Sequence, residues 1–335
     1  MSMYSAVTIG QLLGISTLAD LKSINGLVSA GKEISELCGT QELSGEAALE
    51  ILRKHQNAYT MVTNHFKGAQ VGTSILAKAD AVLLAQGCNG HNTLYAQSIC
   101  PDEINHESGD ITELFSKHMG EVFHMGGLGG IPFSGETGFV AFSHHVPDGG
   151  NLFILFASHI GISNSSNLGH YTRLGQTRDG TACGAACGAL SHCKAYQAQL
   201  DAAAEAGCQP CDPAAAGKVE MRRPGEKPSD YQMDYIKSEI FKRLRRITKY
   251  AEAGDQQAAL AKHMFEIAKT DLLNAINFDP ALPRPNLFLL GGVQINMPHP
   301  TPDFFQPRMF NLYHRDGRVE DLMQSTFGFT VADEE

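Results

Sequence analysis

Five consecutive apolar residues, Leu152-Phe153-Ile154-Leu155-Phe156, constrain the fold of this chain more than any other stretch. The run is too short for a helix of ordinary length and is made only of aromatic and aliphatic residues, which predicts a strand covered on both faces. Doubly covered strands belong to largely parallel sheets with helices on either side, so the run already argues for an α/β architecture. It continues through Ala157-Ser158 to His159 and Ile160-Gly161, then enters a polar loop, Asn164 to Asn167. His159 therefore falls at the carboxyl end of a central strand, where open α/β sheets place their ligands. After a connection containing Tyr171, Arg173 and Gln176, the small residues from Thr181 to Ala189 open a tightly packed helix, with Cys183 at its start. A thiol there is biased toward thiolate by the helix dipole.

The rest of the chain supplies further elements of the same kind. Residues 1 to about 60 show helical spacing, with Ser44 as an N-cap before Glu46 to Leu52. Ala81 to Cys88 reads as a first core strand ended by the turn Asn89-Gly90-His91-Asn92, and Phe139 to Val146 as another strand. Between them, Leu94 to Ile99 leads into Cys100-Pro101-Asp102, a thiol with a carboxylate two residues on. The glycine-rich stretch Gly126-Gly127-Leu128-Gly129-Gly130 fits neither dinucleotide nor phosphate-loop spacing, and is read as backbone passing close to a site. Residues from about 194 to 280 form an insertion: a Pro- and Ala-rich segment carrying Cys208 and Cys211, then a helical hairpin from Tyr231 to Ile276 with a break at Ala253-Gly254-Asp255. Leu287 to Asn296 is the last strong strand, and the tail through Phe304, Phe305 and Phe310 lies along the core.

Composition narrows the function. A formal net charge of −10 argues against nucleic acid or an anionic membrane surface as partner, since both require a basic footprint. No stretch approaches the ~20 apolar residues of a membrane span, and no signal segment opens the chain, which reads as cytoplasmic. Eight cysteines in 335 residues are too sparse for a disulfide scaffold, so they are free thiols or metal ligands.

Cys100, His159 and Cys183 each end an apolar strand segment or begin a helix, so one sheet edge can present all three. Thiolate and imidazole suit zinc, and three protein ligands leave a fourth position open, as catalytic sites require. Cys208 and Cys211 lack a second ligand pair nearby and are not assigned to metal. A zinc nucleobase deaminase needs His-x-Glu and Pro-Cys-x-x-Cys, and neither occurs.

Several of these segments together resemble the limiting-CO2-inducible B/C protein family, the theta-type carbonic anhydrases, which are related in architecture to beta carbonic anhydrases. The likeness lies in Cys100 to Asn105, Gly127 to Phe139, His144 to Asp148, Ile154 to Ile162, Thr181 to Ala185 and Gly292 to Asn296, and spans roughly residues 65 to 310. It implies a beta-carbonic-anhydrase-like central sheet flanked by helices, with an N-terminal helical extension (1–64) ahead of a zinc-binding domain (65–335). It also implies a homodimer and zinc held by Cys100, His159 and Cys183. The implied reaction is reversible hydration of CO2 to bicarbonate by a zinc-bound hydroxide, and the alternative is an inactive zinc-binding structural or regulatory homologue. Asp102 either orients the zinc-bound water or takes the fourth zinc position itself, depending on a cationic partner. The arginine expected shortly after the cysteine motif is replaced by His106. Arg173 and Arg178 lie between two ligands; Arg173 is taken as the partner of Asp102, and His106 and His91 as candidate proton shuttles.

Overall fold

The computed structural model describes residues 56–107, 109–205, 230–278, 283–298 and 301–330. Within them the strands are β1 (Gln70–Val71), β2 (Thr93–Ser98), β3 (Val122–His124), β4 (Asn151–Gly161), β5 (His170–Tyr171), β6 (Gly180–Thr181), β7 (Asn286–Asn296), β8 (Phe304–Tyr313) and β9 (Val319–Asp321). The helices are α1 (Gly72–Ala85), α2 (Ile111–Met119), α3 (Gly135–His144), α4 (Gly184–Glu205), α5 (Tyr231–Ile247), α6 (Ala253–Ala275) and α7 (Met323–Phe327). Residues 56–65 are also helical.

The main sheet runs β1-β8-β7-β4-β2-β3, with β9 on β8. Its middle, β3-β2-β4-β7, is parallel; β8 and β1 extend it antiparallel. All eleven residues of β4 are buried, and their alternation builds two cores. Leu152, Ile154 and Phe156 face a layer containing α3 and α6. Phe153, Leu155 and Ala157 face a layer containing α1, α2 and α7. The sheet is thus sandwiched between helices, which is why a continuous apolar run, rather than an alternating one, marks its central strand. Ala58, Val62 and Phe66 belong to the same core as α6, so the chain just ahead of β1 is packed into the sheet domain. The helical expectations for residues 1–55, and Cys208 and Cys211, lie outside the described residues.

Two segments expected as strands are helices. Ala81 to Ala85 closes α1, whose buried side chains Ile75, Ala79 and Leu83 recur every four residues while Leu84 is exposed. Phe139 to His144 lies in α3, where Phe139 and Phe142, three residues apart, meet the core with their rings 6.4 Å apart. A short apolar run carries no period of its own, so only the neighbouring turns distinguish helix from strand. The tail is likewise more than a strap, because β8 pairs antiparallel with β7 over most of its length. Its Pro307 hid it, since proline demotes a central strand; here Pro307 faces Gly292, where the register shifts. The helical hairpin is present, with α6 beginning at Ala253, the position expected as the break.

Candidate metal centre

Cys100, His159 and Cys183 converge where the parallel strands end, although 83 residues separate the outer two. β2 and β4 run parallel with Ser98 opposite Phe156, so Cys100, two residues beyond β2, emerges beside the last turns of β4. His159 is still within β4, opposite Gln294 of β7. Cys183 is carried in from the side: Gly161 N–H donates to Ala182 O at 3.0 Å, and Ala182 N–H to Gly169 O at 3.1 Å. The carbonyl of Cys183 then accepts from Cys187 N–H, starting the ladder of α4.

The three ligand atoms lie within 4.8 Å of one another, and the residues are 2, 3 and 4% exposed. The donor chemistry fits a metal. His159 Nε2 is buried without any hydrogen-bond partner, which is costly for a polar atom unless something else occupies its lone pair. His159 Nδ1 pairs with Asn296 Oδ1 at 3.0 Å, the support from behind that metal-ligating histidines almost always have. Gly129 N–H points at Cys100 Sγ at 3.4 Å, stabilising charge on sulfur. The Cys100 thiol and the N–H groups of Ala186 and Ala185 lower the pKa of Cys183. Cys183 and burial push Cys100 up in return, so Cys183 is the more readily ionised of the two sulfurs.

Asp102 stands at the edge of this triad. Its Oδ1 accepts from Arg173 Nη2 at 2.9 Å, and its Oδ2 lies 4.0 Å from His159 Nε2. Arg173 Nε also donates to Glu103 Oε1 at 2.5 Å, which holds Glu103 at about 2. The segment that carries Arg173 thus clamps two neighbouring carboxylates. His106, in the place where an arginine was expected, turns instead to the Cys100 carbonyl at 3.2 Å, and burial lowers its pKa. His91 is not brought to the site: it precedes β2, whose six residues put it about 20 Å from the carboxyl edge at ~3.3 Å per residue.

The glycine-rich stretch does pass close to the centre. Gly130 has φ +79°, and a Cβ there would sit 1.9 Å from Ala157 O. Gly130→Ala is expected to cost about 3 kcal/mol, the sum of a left-handed backbone penalty and a clash with a buried strand. Urea unfolding at neutral pH measures it; a loss below about 1 kcal/mol would contradict the tight approach.

Sequence reading missed the groups behind the ligands. Asn296 Nδ2 reaches Asp303 Oδ2 at 2.7 Å, and Asp303 also accepts from Met297 N–H at 2.8 Å and Gln294 Nε2 at 3.1 Å. The one available signal was an asparagine ending a buried apolar strand. Near Asp303 lies Asp110, pushed up to about 9 by burial and by the Asp303 charge. Burial raises Asp303 to about 7, and its three donors make it the ionised member. Both shifts are upward, so between about pH 4 and pH 9 the folded protein keeps a proton that the unfolded chain releases, and the pair's contribution to stability declines as pH rises through that window. Asp110→Asn keeps an acceptor for Glu107 N–H and removes the titration. The difference in Tm, variant minus wild type, is expected to grow from pH 5 to pH 9; a difference independent of pH would contradict the shared proton.

A Cys–His–Cys group that could hold a metal ion, at the carboxyl edge of a largely parallel sheet covered by helices on both faces, defines the class: an α/β protein with a candidate metal centre. Residues 69–314 match the family described as limiting CO2-inducible proteins B/C, beta carbonic anhydrases, and the chain belongs to it. The crystal structure of PtLCIB4, a homologue of the limiting CO2-inducible protein LCIB, is 26% identical, with a TM-score of 0.63 over 78% of this chain and 98% of that one. LCIB itself is 18% identical, with a TM-score of 0.52 over 77% and 95%, a likeness of fold. No curated protein matches the chain significantly. No helix among the described residues is long and apolar enough to cross a membrane.

Proposed function

We propose that this chain is a zinc-dependent carbonic anhydrase that interconverts CO2 and bicarbonate, acting as a homodimer through its sheet domain, which takes in Ala58 and Val62 ahead of the expected boundary at 65. The observation that carries the reading is the disposition of Asp102: one carboxylate oxygen is tied to Arg173, and the other faces the ligand triad from 4.0 Å. Two thiolates and one imidazole form a donor set suited to zinc, which when bound supplies a Lewis acid that lowers the pKa of water toward ~7.

The chain's own groups then have defined tasks. Cys100, His159 and Cys183 would hold the ion. Asp102 accepts a hydrogen bond at Oδ2 from the attacking water and so aims its lone pair at the carbon of CO2. Arg173 holds the carboxylate at Oδ1 and keeps it from swinging in to complete the ligand set. Ile131, Ala186 and Met264, packed with both cysteines, form an apolar wall that suits CO2 and excludes bulk water. A zinc-binding homologue without catalysis would share the triad but would have no use for an arginine-clamped carboxylate beside it. Zinc content and CO2 hydration measured on one preparation test the reading: one zinc per chain with hydration above buffer supports it, and zinc without hydration moves the assignment to the inactive class.

A further inference from the structure

We infer that Asn296, held by Asp303, locks His159 in the tautomer that carries its proton on Nδ1. The inference rests on the metal reading and goes beyond it, because it assigns work to two residues that touch neither ion nor substrate.

An asparagine amide beside a histidine can present oxygen or NH2, and the choice decides which ring nitrogen is protonated. At Asn296 the surroundings make that choice. Its Nδ2 faces Ile104 O at 2.9 Å, Asn105 Oδ1 at 3.2 Å and Asp303 Oδ2 at 2.7 Å. Of these, the main-chain carbonyl is an acceptor that cannot change role, and the Asp303 carboxylate is held as an acceptor by its Met297 and Gln294 donors. Rotating the amide by half a turn would set its oxygen against all three, in a site where Asn296 is wholly buried and water cannot intervene. The oxygen must therefore face His159, so His159 donates from Nδ1 at 3.0 Å. Its Nε2 is left with a bare lone pair toward Cys100 and Cys183, the unpartnered atom of the triad. Had the amide been reversed, Nε2 would carry hydrogen and could not ligate.

Asp303 is the strongest of the three acceptors and is itself over-determined. Its Oδ1 takes Met297 N–H, and its Oδ2 takes both Gln294 and Asn296. Asparagine at 303 could not satisfy this arrangement in either orientation, because its NH2 would face a donor on one side or the other. Asp303→Asn thus leaves the volume nearly unchanged and removes the strongest of the three acceptors that orient the Asn296 amide.

The test uses the full-length chain labelled with nitrogen-15 in its histidines, with His159 assigned by the missing signal in His159→Gln. Zinc affinity is measured by chelator competition on the zinc-loaded protein, and the His159 tautomer by long-range proton–nitrogen correlation after zinc is withdrawn, with circular dichroism confirming the fold. Wild type is expected to show hydrogen on Nδ1 before any metal is present. Asp303→Asn is expected to populate the Nε2–H form and to lose zinc affinity at least tenfold, within the usual range for such supporting groups. Hydrogen on Nε2 in metal-free wild type overturns the lock, as does an Asp303→Asn variant with wild-type tautomer and affinity. Wild type with Nδ1–H but no zinc affinity would leave the lock standing and overturn the proposed function instead.

Discussion

Asp102→Asn is expected to keep one zinc per chain and lose CO2 hydration by roughly 10²-fold or more, the scale of a positioned proton-handling group. The carboxylate is not one of the three clustered ligand groups, so the ion's own donors survive the change. What is lost is an acceptor at Oδ2: an amide that presents NH2 to the reacting water cannot hold its proton, and one that presents oxygen must turn its NH2 toward the Arg173 guanidinium, donor against donor. Arg173→Ala should approach the same loss by a different route. The unclamped carboxylate, already 4.0 Å from His159 Nε2, is then free to close the open metal position. The two variants differ in a second readout. Arg173→Ala frees Glu103 as well, so its carboxyl should titrate higher than about 2, whereas Asp102→Asn leaves the Arg173–Glu103 contact in place. Steady zinc content with hydration near wild type in both variants would contradict the assigned roles.

Alanine at Cys100, His159 or Cys183 is expected to abolish stoichiometric zinc. Each residue is buried and supplies one of three donors, and with one missing the remaining pair must hold a cation in a pocket nearly closed to water. Stability gives an independent view of the same site. A ligand that binds only the folded state adds about 4 kcal/mol when present at 1,000 times its Kd. Wild type should therefore lose thermal stability when zinc is chelated, while all three alanine variants should be indifferent to chelator. His159→Ala should be the least stable of them, since it also strips Asn296 Oδ1 of its donor within the core. Full zinc content in all three variants, measured by elemental analysis, would remove the metal centre from these residues.

The central strand and the helix behind Cys183 were legible in sequence because each carries a strong local signature. A five-residue apolar run bounded by polar loops has few structures open to it, and a row of small residues after a thiol has a packing consequence. These segments bring two of the three clustered residues, His159 and Cys183; Cys100 ends a shorter apolar segment of its own, and the family resemblance joined the three into one set. The helices at Gly72–Ala85 and Gly135–His144 were not, because Ala81 to Ala85 and Phe139 to Phe142 are short apolar stretches whose period emerges only when the flanking turns are known. Strand β8 was hidden by Pro307, tolerated only because Gly291 and Gly292 break the register opposite it. The support of the site was illegible for another reason. Asn296 meets His159 across 137 positions, and Gly129 meets Cys100 across 29, so no local pattern announces either contact. Arg173 lay between these cases: the family resemblance implied an arginine beside Asp102, the segment between His159 and Cys183 offered two, and the structure brings Arg173 to it.

The most direct test of the account is stopped-flow CO2 hydration by zinc-replete wild-type protein across pH 6 to 9, with metal content determined on the same sample. The account predicts hydration well above buffer, rising with pH as water bound at a metal of this kind loses its proton near ~7, and collapsing in Asp102→Asn at unchanged zinc. A zinc-replete wild type no faster than buffer at every pH would contradict it, and would leave the triad and its arginine-clamped carboxylate as a metal site without the reaction.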